Sequence, residues 1–266
     1  FISETTAVTA GAALTLARYL SGSGGGSTHG YSTGGNNGGN LTTVDKTVFS
    51  TDTTSNVAAM PAARQAMTKN VASSLSAYSM GGYVAAASAL TDRSVFSTDI
   101  TSALASGNLT SARSDSPAGY TSTTIGYSVG GWNAGSVATA DKMPYSTETT
   151  AAIATGNLTT ARYDLWGVHS STDGYNLGGN TGAASALAGK MPFSTEVNAA
   201  VASANISVAR YYACGLNASL SGWSMGGTTG AVSAAADKLT FSTDTNAAAA
   251  GANLPVALFG PASLSS

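Results

Sequence analysis

The stretch Tyr175-Asn-Leu-Gly-Gly179, with Phe193-Ser-Thr-Glu196 after it, decides the fold, because both motifs recur along the 266-residue chain. The second motif is an aromatic residue followed two positions later by Ser or Thr and then by an acid. It begins at six positions whose spacings are 48, 47, 49, 48 and 48 residues, namely Phe1, Phe49, Phe96, Tyr145, Phe193 and Phe241. A fixed period of this length indicates a repeat architecture in which each unit is one supersecondary element.

Two further signals keep the same period. The aromatic-x-x-Gly-Gly motif begins at Tyr31, Tyr78, Tyr127, Tyr175 and Trp223 and supplies the pairs Gly34 and Gly35, Gly81 and Gly82, Gly130 and Gly131, Gly178 and Gly179, and Gly226 and Gly227. An arginine after alanine recurs as Arg18, Arg64, Arg113, Arg162 and Arg210. Three signals in one register show that the repeat is not an accident of a chain rich in Ala, Ser, Thr and Gly.

Each unit contains four short pieces that favour strands. In the unit from Arg210 to Pro255, the first three are an apolar run from Tyr211, an alternating run that ends in paired glycines, and the alternating Lys238-Leu-Thr-Phe-Ser-Thr. The fourth, Ala247 to Leu254, is the weakest, and its alanines also favour helix. It lacks an amphipathic stripe and contains Gly251 and an Asn, so we predict a strand. Four strands in about 48 residues, separated by turn residues, match one blade of a β-propeller.

The order of these motifs resembles the Kelch repeat of β-propellers. The resemblance covers nearly the whole chain and implies an all-β, single-domain propeller over residues 1–266, built of four-stranded blades. The usual tryptophan of the fourth strand is replaced by Ala and Leu, so we expect a thin, weakly packed outer strand. In its Ala-, Ser- and Thr-rich style, the sequence is also similar to repeat proteins encoded by tailed bacteriophages.

The number of blades has two solutions. Counting from each repeat arginine gives five whole units, at 18–63, 64–112, 113–161, 162–209 and 210–255. Residues 256–266 resemble a first strand, and residues 1–17 resemble a third and a fourth strand. The two termini would then close an incomplete sixth blade, and the alternative is a five-bladed ring.

Composition excludes several classes of protein. Only 9% of the residues are charged, against about 25% in an average soluble domain, and the net charge is −2. Without clustered Lys and Arg, the chain is not a nucleic-acid binder. It contains no apolar run long enough to span a membrane. The single Cys214 excludes intramolecular disulfides and cysteine-based zinc sites.

Most charges belong to the repeat, since 20 of the 24 charged residues occupy four recurring positions. This favours an architectural role, with the repeat arginines bonded to backbone carbonyls or to repeat acids. The repeat aromatic residues Phe49, Phe96, Tyr145, Phe193 and Phe241 are expected to be buried between blades. The unrepeated polar residues are His29, Lys69, Asp115, Asp164, His169, Asp173 and Cys214, and none forms a recognised pair by spacing. We therefore assign no catalytic, cofactor-binding or metal-binding residue.

Four aromatic residues outside the shared motifs are candidates for stacking on sugars, namely Tyr19, Tyr83, Trp132 and Trp166. The sequence predicts a non-enzymatic structural or adhesive propeller of a virus particle, such as a tail, fibre or decoration protein. It would act through virion or surface-assembly proteins, copies of itself, or the host surface, and its location would be the virion or an extracellular surface. The alternatives are a carbohydrate-binding, lectin-like propeller and an extracellular enzyme on a Kelch-like propeller.

Overall fold

The alternating pieces of each repeat pair in sequence order into antiparallel sheets. The structure, a computed structural model, describes residues 10–259. Within this range five sheets form the blades of a propeller ring. Four of them have four strands, and in blade 2 the innermost piece pairs with its neighbour through a single bridge between Ala72 and Ala77. The all-β propeller prediction is confirmed.

The strands follow one another from the axis outward in every blade. Blade 1 contains β1 (Gly22–Gly25), β2 (His29–Thr33), β3 (Thr43–Val48) and β4 (Thr53–Ala59). Blade 2 contains β5 (Ser76–Met80), β6 (Thr91–Val95) and β7 (Ile100–Ala103). Blade 3 contains β8 (Ala118–Thr121), β9 (Ile125–Val129), β10 (Ala140–Pro144) and β11 (Ala151–Ala152). Blade 4 contains β12 (Trp166–His169), β13 (Asp173–Leu177), β14 (Ala188–Pro192) and β15 (Ala199–Ala200). Blade 5 contains β16 (Cys214–Asn217), β17 (Ser221–Met225), β18 (Ala236–Thr240) and β19 (Thr245–Ala248).

The fourth strands are short in blades 3 and 4, as the alanine-rich sequence predicted, whereas β4 of blade 1 has seven residues. In blades 3 and 4 this strand has two residues, both exposed. The alanine runs then turn into 3-10 helices at Ala105–Gly107, Ala154–Gly156, Ala202–Ala204 and Ala250–Ala252, and a further one lies at Ala10–Ala12. An alanine side chain buries little area, so this outer piece adds little apolar contact between blades. Hydrogen bonds join it to the preceding blade instead, as from the Thr150 N–H to the Ser106 carbonyl at 3.0 Å.

The ring contains five blades, which is the second of the two solutions that the sequence left open. The proposed sixth blade would combine residues 256–266 with residues 1–17. Much of both segments, residues 1–9 and 260–266, lies outside the described residues, and the parts that are described contain no strand.

Each glycine pair follows the end of a blade's second strand and has positive φ at both residues, as in Gly130 (φ 74°) and Gly131 (φ 109°). A Cβ on Gly130 would also lie 2.8 Å from the carbonyl oxygen of Arg162, in the next unit. Both the backbone conformation and the close approach therefore require glycine. The predicted position of the glycine pairs at strand ends is confirmed.

The repeat arginines are buried, and each bonds to protein groups. Arg18, Arg64, Arg113 and Arg210 pair with Asp45, Asp92, Asp141 and Asp237 at 3.0, 2.5, 2.9 and 2.6 Å. Blade 4 differs, because Gly189 replaces the aspartate. There Asn176, at a position that is Ser in the other blades, accepts a hydrogen bond of 2.6 Å from Arg162. Without a carboxylate, burial lowers the pKa of Arg162 to about 10.

A seam between consecutive blades joins an aromatic residue, an acid and a cation. Tyr127 of blade 3 stacks on Phe193 of blade 4 with ring centroids 5.4 Å apart. Lys142, the cross-strand neighbour of Tyr127, lies 2.6 Å from Glu196, and the Tyr127 hydroxyl donates to the same carboxylate. The same arrangement recurs with Tyr31, Phe96, Lys46 and Asp99, with Tyr78, Tyr145, Arg93 and Glu148, and with Tyr175, Phe241, Lys190 and Asp244.

Four of the repeat aromatic residues, Phe96, Tyr145, Phe193 and Phe241, therefore lie between blades. All five, including Phe49, are half-buried. One face of each stacked ring meets the preceding blade, while the loop that follows the ring is exposed, as at Ser194 and Thr195. The rings were expected to be buried between blades, and their burial is partial because each ring sits at the end of a strand, next to this loop.

Candidate functional site

One end of the ring carries an aromatic side chain from every blade. At this end, the residue after each repeat arginine forms a β-bridge with the residue after the glycine pair of the same blade. The bridged pairs are Tyr19 and Asn36, Gln65 and Tyr83, Ser114 and Trp132, Tyr163 and Asn180, and Tyr211 and Thr228. Each pair contains one aromatic residue. We call Tyr19, Tyr83, Trp132, Tyr163 and Tyr211 the mouth aromatics.

The mouth aromatics present ring surface to solvent. Tyr19 and Tyr83 are 43% and 38% exposed, and the other three are half-buried. Trp132 and Tyr163 meet edge to face at 4.9 Å across the boundary between blades 3 and 4. After blade 5, Leu258 occupies the position of the repeat arginine, and Phe259 follows it. The ring centroids of Phe259 and Tyr19 lie 6.5 Å apart, so Phe259 extends this surface between blades 5 and 1. Partly exposed rings around one opening suit a ligand with flat apolar faces.

Three of the four aromatic residues that the sequence singled out for glycan contact belong to this group, and the fourth does not. Trp166 is 1% exposed, and its indole N–H donates a 2.7 Å hydrogen bond to Ser224. Its ring is inaccessible to a ligand, because Trp166 begins an inner strand and packs against blade 5. Sequence reasoning missed Tyr163 and Tyr211, although both follow a repeat arginine just as Tyr19 does.

A polar cluster lies below the mouth, on the axis. Each inner strand is entered through a residue with positive φ two positions after the repeat arginine, namely Leu20, Ala66, Asp115, Asp164 and Tyr212. Backbone hydrogen bonds link these turns from blade to blade. The Asp164 N–H donates to the Asp115 carbonyl at 2.7 Å, and the Tyr212 N–H donates to the Asp164 carbonyl at 3.0 Å. Two acids and a tyrosine from three blades are thereby placed side by side.

Lys69 and Cys214 complete this axial cluster, and both are buried. Lys69 comes from the innermost piece of blade 2. The inner strands approach so closely there that a Cβ on Gly119 would overlap the Lys69 carbonyl oxygen, and one on Gly167 would overlap that of Gly119. At the height along the axis where blade 2 has Lys69, blades 3 and 4 have Gly119 and Gly167. Four of the seven unrepeated polar residues, scattered in the sequence, meet here.

Burial dominates the electrostatics of the axial cluster. It raises the pKa of Asp164 well above its ordinary value, and Asp115 raises it further, while the Tyr212 hydroxyl and Lys69 oppose the shift. Burial likewise raises the pKa of Asp115 and lowers that of Lys69. Asp164 exposes none of its surface, whereas Asp115 is half-buried. Asp115 is therefore partly accessible from outside, whereas Asp164 is not.

The other three unrepeated polar residues lie at the opposite end of the strands. His29 packs edge to face on Tyr31 and Phe96, at 5.4 and 5.1 Å. Burial lowers the pKa of His169 to about 4, and Asp173 lies 3.7 Å from Lys190. Among residues 10–259, no three His, Cys, Asp or Glu side chains are close enough together to hold a metal ion.

A concavity of about 470 Å³ lies at the seam between blades 2 and 3. Its charged lining residues, Arg93 and Glu148, are already paired at 2.8 Å, and the Tyr78 hydroxyl donates to the same carboxylate. These groups hold the blades together and offer a ligand few open partners. The mouth is the better candidate site.

No family model matches the chain, and no curated protein resembles it significantly. In the part of the chain that the structure describes, no helix has the length and apolar character needed to cross a membrane.

Proposed function

We propose that the protein is a non-enzymatic adhesive propeller that works by contact, and that the mouth aromatics form its contact surface for a glycan. The observation that carries the proposal is the presence of one aromatic side chain per blade around a half-buried carboxylate, Asp115. Sugar rings stack on aromatic faces through their C–H groups, and a carboxylate accepts hydrogen bonds from their hydroxyls. A pocket of this kind needs only a few polar groups to orient its ligand.

The assembly that carries the propeller is proposed to be a virus particle or another extracellular surface. Three features support this: the low charge, the close similarity of the units, and the likeness of the repeat to Kelch units and to phage-encoded repeat proteins. A surface of hydroxyls and backbone groups keeps a long-lived extracellular protein soluble without many charges. Partners within the assembly would be other virion or surface proteins, including copies of the chain.

A glycan array probed with the full chain tests the proposal, followed by titration of the best glycan. Trp132→Ala is expected to weaken binding by about 1–2 kcal/mol, since one stacked ring is lost. That is roughly a 5- to 30-fold change in Kd. Leu220→Ala is the matched control, because Leu220 is 77% exposed in a turn away from the mouth. Equal binding by the two variants, or no glycan binding at all, would contradict the proposal.

An extracellular hydrolase is the rival function, since Asp115 and Asp164 are neighbouring carboxyls and one has a strongly raised pKa. The complete burial of Asp164 argues against it, because a catalytic acid must touch its substrate. Incubating the bound glycan with the protein and analysing the products by mass spectrometry decides the matter. Turnover that Asp164→Asn abolishes would replace adhesion with hydrolysis.

A further inference from the structure

The mouth has a different composition in the sector formed by blades 3 and 4. The residue two positions after the repeat arginine is apolar in blades 1 and 2 and a tyrosine in blade 5, but it is Asp115 in blade 3 and Asp164 in blade 4. The same two blades supply Trp132 and Tyr163, whose ring centroids lie 4.9 Å apart. The two acids therefore fall in the sector that holds this aromatic pair.

A closed circuit of contacts surrounds Asp115. Its chain neighbour Ser114 exchanges backbone hydrogen bonds of 2.9 and 3.0 Å with Trp132, and Trp132 packs on Tyr163. Tyr163 precedes Asp164, whose N–H donates to the Asp115 carbonyl at 2.7 Å. Burial, followed by Asp164 and Asp115, raises the pKa of Tyr163, so the Asp115 carboxylate lies close to this side chain. The half-buried carboxylate is thus beside the aromatic pair rather than inside a blade.

Asp115 differs from the acids of the repeat because no cation pairs with it. The eight repeat acids that form ion pairs lie 2.5 to 3.0 Å from a Lys or Arg. Burial raises the pKa of Asp115, the Ser114 hydroxyl opposes the shift, and no Lys or Arg of residues 10–259 contributes. The backbone does not require an acid at φ 54° either, since Asn adopts this conformation as readily. A half-buried carboxylate without a counter-charge favours a ligand that brings one.

The mouth also offers no Lys or Arg side chain that would repel such a ligand. All eleven of these residues lie within the described range. The side chains of the five repeat arginines are buried, and five further cations pair with acids or pack on a ring in the seams. Lys69 is 2% exposed, below the mouth, where it interacts with Asp164. Aromatic faces themselves attract cations, so the rings and the carboxylate select the same ligand charge.

We propose that this sector of the mouth binds an amino sugar through its protonated amine, with the ammonium on Asp115 and the sugar ring on Trp132 and Tyr163. The inference rests on the proposed function, which makes the ligand a glycan, and it names the class of glycan, one whose amine is free rather than acetylated. An ammonium has three N–H groups to donate to the carboxylate and its surroundings. An acetylated amine is neutral and leaves the carboxylate without a counter-charge.

The test titrates the full chain with two oligosaccharides of equal length, a glucosamine oligomer and its fully N-acetylated counterpart, at a pH at which the free amine is protonated. We expect the free-amine oligomer to bind at least about tenfold more tightly. Asp115→Asn should remove most of this difference, and it should fold because Asn tolerates the positive φ of this position.

Asp52→Asn is the matched control. Asp52 is also an acid at positive φ (50°), but it is exposed and follows β3 at the end of the strands opposite the mouth. Its replacement removes the same charge from the chain and should leave the affinity for both oligosaccharides unchanged.

Equal affinity of the wild type for the two oligosaccharides, or an unchanged difference in Asp115→Asn, would overturn the proposal. If Trp132→Ala then weakens the binding of both, the mouth is a glycan site and only the assigned class is wrong. If neither oligosaccharide binds, the amino-sugar proposal is wrong, and the proposed function fails as well only when the array shows no other glycan. Poly-lysine that binds as tightly as the free-amine oligomer would show that charge alone is recognised, which also contradicts an amino-sugar site.

Discussion

The arginine of blade 4 offers a double-mutant cycle in which two harmful substitutions should compensate each other. Asn176→Ser restores the residue of the other blades but removes the amide that accepts the 2.6 Å hydrogen bond from Arg162. Gly189→Asp restores the repeat aspartate. However, its Cβ alone would lie 2.5 Å from the Asn176 amide oxygen and 2.9 Å from that of Asn198. The double variant recreates the Ser and Asp pair that holds the arginine in blades 1, 2, 3 and 5.

The contacts set the expected magnitudes. Asn176→Ser removes a hydrogen bond to a charged group and should cost about 1.5–3 kcal/mol of unfolding free energy. Gly189→Asp overpacks a filled site and should cost about 1–3 kcal/mol. If the two effects were independent, the double variant would lose about 2.5–6 kcal/mol. We expect it instead to lie within about 1 kcal/mol of the wild type, because the new carboxylate pairs with the Arg162 guanidinium in the space that the amide leaves.

Urea unfolding of the four proteins, followed by tryptophan fluorescence, measures the cycle. If the transitions are not two-state, the midpoints are compared instead. Gly182→Ala, at a turn glycine with no atom near its Cβ position, serves as a control for substitution elsewhere in the same blade, where only the positive φ opposes the change. Additive losses in the double variant would show that Asn176 and Gly189 are unrelated substitutions rather than an exchanged pair.

Two further predictions concern burial and charge. Asp164→Asn should be at least as stable as the wild type at neutral pH, because burial raises the pKa of Asp164 and its ionisation in the folded state then costs free energy. Consistently, wild-type stability relative to this variant should rise as the pH falls toward the ordinary aspartate value, and a fall would contradict the assignment. Asp141→Asn is the contrasting control. It should lose about 3–5 kcal/mol of unfolding free energy, because it leaves the buried Arg113 without its carboxylate partner. Phe193→Ala should cost about 2 kcal/mol in thermal or chemical unfolding, less than a fully buried Phe, because its ring is half-buried on Tyr127. No loss would mean that the stacked seams do not stabilise the ring.

The sequence alone was sufficient to predict the blades. Turn glycines, alternating strands and a fixed period are local properties, because φ at Gly130 and the pairing of adjacent strands depend on residues near one another in the chain. The contacts of the repeat arginines are local in the same sense, since every repeat arginine meets a partner from its own blade. The number of blades was not local, because closure depends on the angle between neighbouring blades, and five and six units were both compatible with the repeat.

Only the tertiary structure decided what lies at the axis and the mouth. Lys69, Asp115, Asp164 and Cys214 are far apart in sequence and follow no spacing rule, yet ring closure brings their strands together. Trp166 and Trp132 looked alike as unrepeated aromatic residues. Trp166 is buried and Trp132 is partly exposed, because Trp166 begins an inner strand whereas Trp132 follows a glycine pair at the rim. Local patterns determine which face of a strand a residue occupies, but burial depends on what the closed ring places opposite that face.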